Sequence, residues 1–222
     1  MSIKSGPAAD WTTDTRSILS QMREKYVIVL LEDYFIYETP DQKRLDECIA
    51  LMEAEKAVFM RIGCFPSDHF SDYAYDKMKE NNWCGRTRKD APFGINLQAG
   101  IWNREEFLAL LNDHENPWMF ELEATKRWAS SGKTALGLIS DPKIDHVHGP
   151  IKYLCTALSR GVWMKDAIEL GEKEGIKIDI GERPIETNWQ YRKRRMYHSL
   201  PFWTRRYIDF FLSKTRRNRN AT

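Results

Sequence analysis

A six-residue apolar run that stops at two adjacent carboxylates limits the folds open to this chain. The run is Tyr26-Val-Ile-Val-Leu-Leu31, and Glu32-Asp33 follows it directly. A short continuous apolar segment with β-branched residues is typical of a strand that is buried on both faces of a sheet. In open α/β sheets, ligands bind beyond the carboxyl ends of the strands. The sequence therefore predicts a buried strand that carries two carboxylates to a binding edge.

Segments with helical spacing alternate with strand-like segments along the remaining chain, which indicates the α/β class. The chain has 222 residues, of which 42% are hydrophobic, so it can bury a core without disulfides or metal ions. The segment 66–90 is polar and aromatic and predicts irregular structure. The periodicity predicts helices over 11–25, 103–111, 118–128 and 162–174, from Asp41 onward and beyond Asn188, and strands over 57–62, 94–102, 135–139, 153–158 and 176–180.

Several classes of protein are excluded by what the sequence lacks. The apolar run at Tyr26 is the longest, and it is far too short to span a bilayer. Because Met1 to Pro7 contain no apolar segment of secretory length, we expect a cytoplasmic protein. The cysteines form no CxxC pair, which argues against a zinc ribbon and a disulfide scaffold and predicts reduced, mostly packed thiols. They are Cys48, Cys64, Cys84 and Cys155.

The net charge of +2 hides a strongly basic C-terminal segment. Residues 183–222 contain 11 Lys and Arg and 2 Asp and Glu, so this segment carries +9 and the rest carries −7. We therefore expect a leader over 1–10, a folded domain over 11–183 and a basic, amphipathic helical tail over 184–222. A tail of this charge seeks an anionic surface.

Three interpretations of the tail are open. It resembles in composition a helix that lies on an anionic membrane, with one apolar face flanked by cations. It could instead pack on the domain, or bind nucleic acid, although no RNA- or DNA-binding motif is present. We expect the membrane surface and no nucleic-acid partner. The apolar face would consist of Phe202, Ile208, Phe211 and Leu212.

The pair Glu32 and Asp33 is the first candidate for chemistry. Hard divalent cations such as Mg²⁺ and Mn²⁺ take oxygen ligands and often share them with substrate phosphates. One or two carboxylates at the end of a strand would suit a metal–diphosphate site. The alternative is a solvated turn or a helix N-cap.

Glu121 is the second candidate, because it follows Trp118 and Phe120 closely. A carboxyl group beside aromatic rings can have a raised pKa and act as a general base. In the alternative interpretation, the two aromatic residues belong to the core and Glu121 is a carboxylate of the first helical turn, where the helix dipole favours it.

The segment Asp145-His146-Val-His148 is the third candidate. Two histidines at this spacing can bind a metal ion. No third His or Cys lies at ligand spacing, so we do not expect a zinc site. A contact to phosphate, or one extra ligand on the metal that Glu32 and Asp33 would bind, is the favoured interpretation.

The candidate segments occur in an order that resembles a known family. The order is a strand followed by Glu32-Asp33-Tyr34, then Gln98-Ala-Gly-Ile-Trp-Asn-Arg104, then Pro117-Trp-Met-Phe-Glu121, and later Arg160-Gly-Val-Trp163. The chain resembles GT-A-fold glycosyltransferases, specifically the family-two-like enzymes of bacterial capsule and lipopolysaccharide loci and of some large viruses. The resemblance covers about 11–183 and implies a GT-A-like, Rossmann-like mixed sheet flanked by helices.

The resemblance also implies an activity. The chain would move a hexose from a nucleotide-sugar to a glycan or lipid-linked acceptor in polysaccharide biosynthesis, by metal-assisted displacement with inversion. Asp33 matches the family's metal-binding position and Glu32 its neighbour, with His148 as a further ligand of Mn²⁺ or Mg²⁺, and Glu121 matches the catalytic base. This sequence has Glu-Asp-Tyr instead of Asp-x-Asp, and Phe-Glu instead of Glu-Asp. The expected substrate contacts are Gln98, Trp102, Arg61, Trp118, Arg127 and His146.

The chain departs from the family at its start. Only 31 residues precede Glu32, whereas the family places two or three strands there to hold the nucleobase and ribose. We therefore expect an N-terminally shortened fold. Either the chain is a truncated gene product, or a second chain completes the sheet, or the chain has lost donor binding. The alternative function is a non-catalytic or partner-dependent remnant of a glycosyltransferase. An exposed edge strand also predicts a homodimer. The basic tail would place the protein peripherally at the inner face of the membrane.

Overall fold

The structure is a computed structural model that describes residues 10–63, 74–139, 149–154, 156–181, 183–200 and 204. It confirms a mixed α/β fold, with six helices and a six-stranded mixed sheet among the described residues. In chain order, the elements are α1 (Trp11–Ser20), β1 (Tyr26–Val29), β2 (Phe35–Ile36), α2 (Gln42–Ala54), β3 (Ala57–Arg61), β4 (Tyr75–Met78), β5 (Asn81–Thr87), β6 (Gly100–Asn103), α3 (Arg104–Leu110), α4 (Pro117–Ser130), β7 (Thr134–Leu138), β8 (Tyr153–Leu154), β9 (Leu158–Ser159), β10 (Val162–Trp163), α5 (Lys165–Lys173) and α6 (Asn188–Ser199).

The six-stranded sheet has the order β1-β6-β3-β7-β5-β4. Only β3 and β7 are parallel neighbours, and β6 runs antiparallel between β1 and β3. The register places Val27 and Phe59 on either side of Trp102. All five residues of β3 are buried, as expected for a central strand of such a sheet.

Side-chain caps explain where several helices begin. Asp41 accepts the backbone N–H of Arg44 at the start of α2, and Asn103 accepts that of Glu106 at the start of α3. At α4, Asn116 accepts the N–H of Met119 and Pro117 occupies the first helical position, where its missing N–H costs nothing. These polar residues satisfy the orphan donors of the first turn.

A hydrophobic core cluster lies between the sheet and helices α1, α3 and α4, and aromatic rings dominate it. Trp102 stacks on Phe107 with ring centroids 4.1 Å apart, and Phe59 lies 4.3 Å from the same indole. Phe120 reaches this group from α4, at 6.2 Å from Trp102. The rings fix the distance between the sheet and the helix that carries Glu121.

The hairpin of β4 and β5 lies in the segment 66–90, which the sequence predicted to be irregular. β5 pairs with β7, so the hairpin extends the sheet. Gly137 in β7 makes this possible, because a Cβ there would lie 2.3 Å from the Tyr75 ring. Polar residues in the hairpin had hidden the strand pattern. The described part of this segment is therefore a correction to the prediction.

Other element boundaries also differ from the sequence prediction. Helix α1 ends at Ser20, and the predicted strand 94–102 is a strand only from Gly100 onward. The segment 153–158 contains two short strands, and 176–180 is irregular. β1 lies at an end of the sheet with Ile28 exposed, so the expectation of burial on both faces is wrong. None of the described helices is long and apolar enough to cross a bilayer.

The chain divides into two compact units. The first comprises Met1–Glu32 and Ile36–Tyr153 and contains the six-stranded sheet. The second comprises Asp33–Phe35 and Leu154–Thr222 and contains the β9–β10 ladder, α5 and α6. Within the second unit, the Trp163 indole N–H donates to Ile180 O over 3.1 Å. The predicted leader and most of the predicted tail beyond Leu200 lie outside the described residues.

Candidate functional site

Glu121 lies in the second turn of α4, held against the loop that precedes β6. Its Oε1 accepts the backbone N–H of Leu97 over 2.7 Å. The side chain is therefore not a first-turn carboxylate facing solvent, since α4 begins at Pro117. The hydrogen bond fixes one oxygen, and among the described residues no hydrogen bond reaches Oε2.

The environment of Glu121 raises the pKa of its carboxyl group. Burial is the larger cause, because it penalises the charged form, and the Leu97 amide partly offsets it by favouring the carboxylate. A carboxylate with a raised pKa and one uncommitted oxygen can accept a proton from a hydroxyl group near neutral pH. The electrostatics of this position suit a general base.

The loop 94–99 is fastened to α4 by Thr125 as well. The Thr125 hydroxyl lies 3.1 Å from Ile95 N and 3.0 Å from Ile95 O, and 2.7 Å from the carbonyl oxygen of Glu121. Farther along the loop, Asn96 Oδ1 accepts the Gln98 N–H over 3.2 Å. These bonds hold the loop in one conformation and so position Gln98.

Gln98 contacts residues that follow β3. Its Oε1 lies 3.3 Å from the Tyr153 hydroxyl, which donates to it. The same hydroxyl lies against Gly63, where a Cβ atom would approach it to 2.0 Å. Arg61 Nε donates to Gly63 O over 2.7 Å, and this arginine is 2% exposed. Gln98, Tyr153, Gly63 and Arg61 therefore form one polar group at the carboxyl end of β3.

Trp118 lies on the surface, with 71% of its area exposed. It precedes Glu121 by three positions on α4, a spacing that places two side chains on neighbouring parts of a helix surface. Leu122, the next residue after Glu121, is also exposed. An exposed apolar surface that contains an indole ring thus borders Glu121.

Two predicted substrate contacts are structural residues instead. Trp102 has no exposed surface and lies in the aromatic core, so the prediction that it stacks on a sugar is wrong for this structure. Arg127 donates to both carboxylate oxygens of Glu115 at 2.8 Å and to Leu110 O at 2.7 Å. Its guanidinium group is therefore engaged within the fold, and both residues have structural roles.

Asp33 belongs to the second unit and is half-buried. The Thr156 hydroxyl lies 2.8 Å from Asp33 Oδ2, and the Ala157 N–H donates to the Asp33 carbonyl over 2.8 Å. Glu32 is exposed at the end of the first unit. The Asp33 carboxylate is thus oriented by its own unit, while Oδ1 receives no hydrogen bond from described residues.

The carboxylate oxygens of Asp33 and Glu32 are the type of ligand that a hard cation binds. Carboxylate oxygens are what Mg²⁺ and Mn²⁺ prefer, and Mg²⁺ often binds through one or two carboxylates plus substrate phosphates. Within the described ranges, no group of three or more His, Cys, Asp or Glu residues could form a metal cage. A metal ion at Asp33 would take further ligands from water or from substrate phosphates. His146 and His148 lie outside the described residues, so their predicted roles stay predictions.

Sequence reasoning missed Tyr153, Thr125 and the Leu97 amide. Tyr153 is 55 residues from Gln98 in the sequence, and no local pattern links them. Thr125 follows Glu121 by one helical turn and could have been noticed as a polar neighbour on the same helix face. A backbone N–H has no sequence signature at all.

Comparison with known proteins adds no relative to this picture. No protein-family model, no curated protein and no solved structure matches the chain. The functional argument therefore rests on the motifs and on the geometry around Glu121 and Asp33.

Proposed function

We propose that the chain is a glycosyltransferase that moves a sugar from a nucleotide-sugar to a hydroxyl group of a glycan or lipid-linked acceptor, with inversion. One observation carries the proposal: Glu121, the residue that matches the base of the GT-A family, has a half-buried carboxyl group with a raised pKa and one oxygen open to a proton.

Glu121 would act on the acceptor. Its Oε2 would take the proton of the attacking hydroxyl as that oxygen bonds to the anomeric carbon and the bond to the diphosphate breaks. The proton ends on Glu121 and the negative charge leaves on the nucleoside diphosphate. The Leu97 amide would keep Oε1 occupied during the reaction, so that Oε2 faces the acceptor.

Other residues would position the reactants. Trp118 offers an exposed aromatic face one turn from the base, suited to the CH groups of a sugar ring. Gln98 is half-buried and oriented by Tyr153, so its amide group can donate to a substrate hydroxyl. Arg61 supports the carbonyl of Gly63 and would shape this edge of the sheet.

Asp33 would bind Mn²⁺ or Mg²⁺ together with the donor diphosphate. The metal ion would supply positive charge that neutralises the departing diphosphate. Thr156 holds Oδ2 of Asp33, which leaves Oδ1 for the ion. The match in donor chemistry and in sequence position supports this part of the proposal.

Calorimetric titration tests the proposal directly. UDP, GDP and dTDP are titrated into the purified chain with and without Mn²⁺, because binding of a nucleotide is measurable without knowing the acceptor. We expect one nucleotide to bind only when Mn²⁺ is present. Absence of binding for all three, in a chain with a cooperative unfolding transition, would overturn the proposal for the isolated chain.

A partner-dependent remnant is the second candidate, and the position of β1 favours it. β1 precedes the acidic pair and pairs only with β6 among the described residues, so the sheet ends there. In a GT-A fold, strands that hold the nucleotide would continue the sheet at this point. Nucleotide binding that appears only above a threshold protein concentration, together with a dimer in sedimentation velocity, would support this alternative.

A further inference from the structure

Helix α6 is attached to the second unit by one side. Arg194 donates from Nε to Glu186 Oε1 at 2.9 Å, and from Nη2 to Glu186 Oε2 at 2.9 Å and Asp166 Oδ2 at 2.8 Å. Glu186 is 4% exposed, and Tyr191 and Tyr197 are half-buried. Tyr191 lies three positions before Arg194 and Tyr197 three positions after it, so the attached side follows helical spacing.

The opposite side of α6 faces outward and is both basic and apolar. Trp189, Arg192, Lys193 and Met196 follow the i, i+3, i+4, i+7 spacing of one helix face, and we call these four residues the outward face. Trp189 is 68% exposed and Met196 is 61% exposed. Lys193 Nζ lies 4.9 Å from the centre of the Trp189 ring.

The cations of this side lack counter-charges. Helix α6 contains no Asp or Glu, and Arg195 adds a third exposed cation beside the outward face. Whereas Arg194 has two carboxylate partners, none of Arg192, Lys193 and Arg195 forms an ion pair with a described residue. A capping box between Thr187 and Gln190 fixes the start of the helix, so these side chains emerge from a defined scaffold.

We propose that the outward face of α6 docks on an anionic phospholipid surface. Lys and Arg near such a surface gain from the negative potential, while Trp sits at the level of the headgroups and an unbranched apolar chain such as Met enters the acyl boundary. The charge complementarity and the paired exposure of Trp189 and Met196 both point to this partner. The inference does not depend on the proposed transferase activity.

Nucleic acid fits the same face less well. Single-stranded binding sites combine a basic groove with several aromatic platforms on which successive bases stack. Here the surface is one side of a helix with a single exposed aromatic ring, and the second apolar residue is a methionine. The apolar residues that the sequence placed on a membrane face, Phe202 to Leu212, lie outside the described residues, so the inference rests on α6 alone.

Vesicle co-sedimentation of the full chain tests the inference. The vesicles contain either phosphatidylcholine alone or equal parts of phosphatidylcholine and phosphatidylglycerol. We expect binding to the anionic vesicles only. Replacing Arg192 and Lys193 together by Gln is expected to weaken it about 25-fold, because each cation contributes about fivefold. The matched control replaces the exposed Lys43 and Lys79 by Gln, which removes the same charge elsewhere and should have a far smaller effect.

Quenching by brominated lipids distinguishes insertion from simple charge attraction. Fluorescence of the parent chain should be quenched, and quenching should fall in Trp189→Phe but persist in Trp118→Phe, the other strongly exposed indole on a described helix. Equal weakening by the Arg192 and Lys193 replacement and by the Lys43 and Lys79 replacement would overturn the inference, as would unchanged quenching in Trp189→Phe. Tighter binding to a single-stranded RNA oligonucleotide than to anionic vesicles would overturn it in favour of nucleic acid.

Discussion

The backbone N–H of Leu97 lies 2.7 Å from Glu121 Oε1 and donates a hydrogen bond to it. This bond joins the loop before β6 to the second turn of α4. It also divides the carboxyl group into one oxygen that holds the loop and one that no described residue hydrogen-bonds. Mutations at Glu121 should therefore separate stability from catalysis.

Glu121→Gln should retain nucleotide binding and lose sugar transfer. The amide oxygen of Gln can still accept the Leu97 N–H, whereas no basic oxygen remains to take a proton. General-base catalysis is worth about 10²–10⁴-fold in rate, and we expect a loss in this range. Calorimetry measures nucleotide binding, and a transfer assay measures the rate of sugar transfer. The control is Glu123→Gln, because Glu123 lies on the same helix and pairs with Lys126. Equal transfer rates for Glu123→Gln and Glu121→Gln would contradict the assignment.

Glu121→Ala should unfold more easily than Glu121→Gln. Alanine leaves the Leu97 N–H without its acceptor, and an unsatisfied buried donor costs about 1–3 kcal/mol. Urea denaturation of the two variants at the same pH measures the difference. Indistinguishable midpoints would show that solvent replaces the carboxylate at this position.

The stability contributed by Glu121 should fall as pH rises. Burial raises the pKa of this carboxyl group above 4.5, so the folded state binds more protons than the unfolded state in the interval between the two pKa values. Unfolding free energy therefore decreases from about pH 4.3 upward and levels off above the folded pKa. The difference in unfolding free energy between Glu121→Gln and the parent should grow over this interval. A difference that stays constant from pH 4 to 8 would contradict the raised pKa.

Asp33→Ala should abolish Mn²⁺-dependent nucleotide binding and leave the chain folded. The backbone carbonyl of Asp33 still accepts the Ala157 N–H in this variant, so the local backbone keeps its anchor. Thr156 loses one acceptor, but its hydroxyl also lies 2.5 Å from Leu158 O. Asp76→Ala, which removes an exposed carboxylate from β4, is the control. Nucleotide affinity equal to that of the parent would remove Asp33 from the site.

Trp102→Ala should lower the free energy of unfolding by about 3–5 kcal/mol, because a cavity would replace a fully buried ring. The indole contacts Phe59 and Phe107 and has no exposed surface. Trp118→Ala, at an exposed position, should change stability by no more than about 0.5 kcal/mol. Urea denaturation of both variants checks the contrast. Similar stability for the two would contradict the placement of Trp102 in the core.

The sequence predicted those parts of the fold that depend on local pattern. Strand β3 and helix α4 were expected from the periodicity of their apolar residues. The segment 94–99 was mistaken for a strand because its apolar residues alternate. In fact Ile95 and Leu97 are buried against α4 through loop contacts, which no period in the sequence reveals.

The site was predictable only in part, for the same physical reason. The aromatic residues next to Glu121 in the sequence mark it as a candidate. Whether Trp102 or Trp118 faces solvent, however, depends on packing between distant elements. Likewise, nothing in the sequence shows that Arg127 has an ion-pair partner. In the structure it pairs with Glu115, a buried residue that precedes the helix. Non-local contacts decide which polar residues remain available to a ligand.

The end position of β1 has a consequence for handling the protein. Its outward amide and carbonyl groups belong to a stretch of Tyr, Val, Ile and Val, and such an edge offers a template on which another chain can add a strand. When the chain is refolded from denaturant, partly folded copies can pair along this edge. Refolding yield should therefore rise on dilution, and a short peptide that occupies the edge should act as a folding aid.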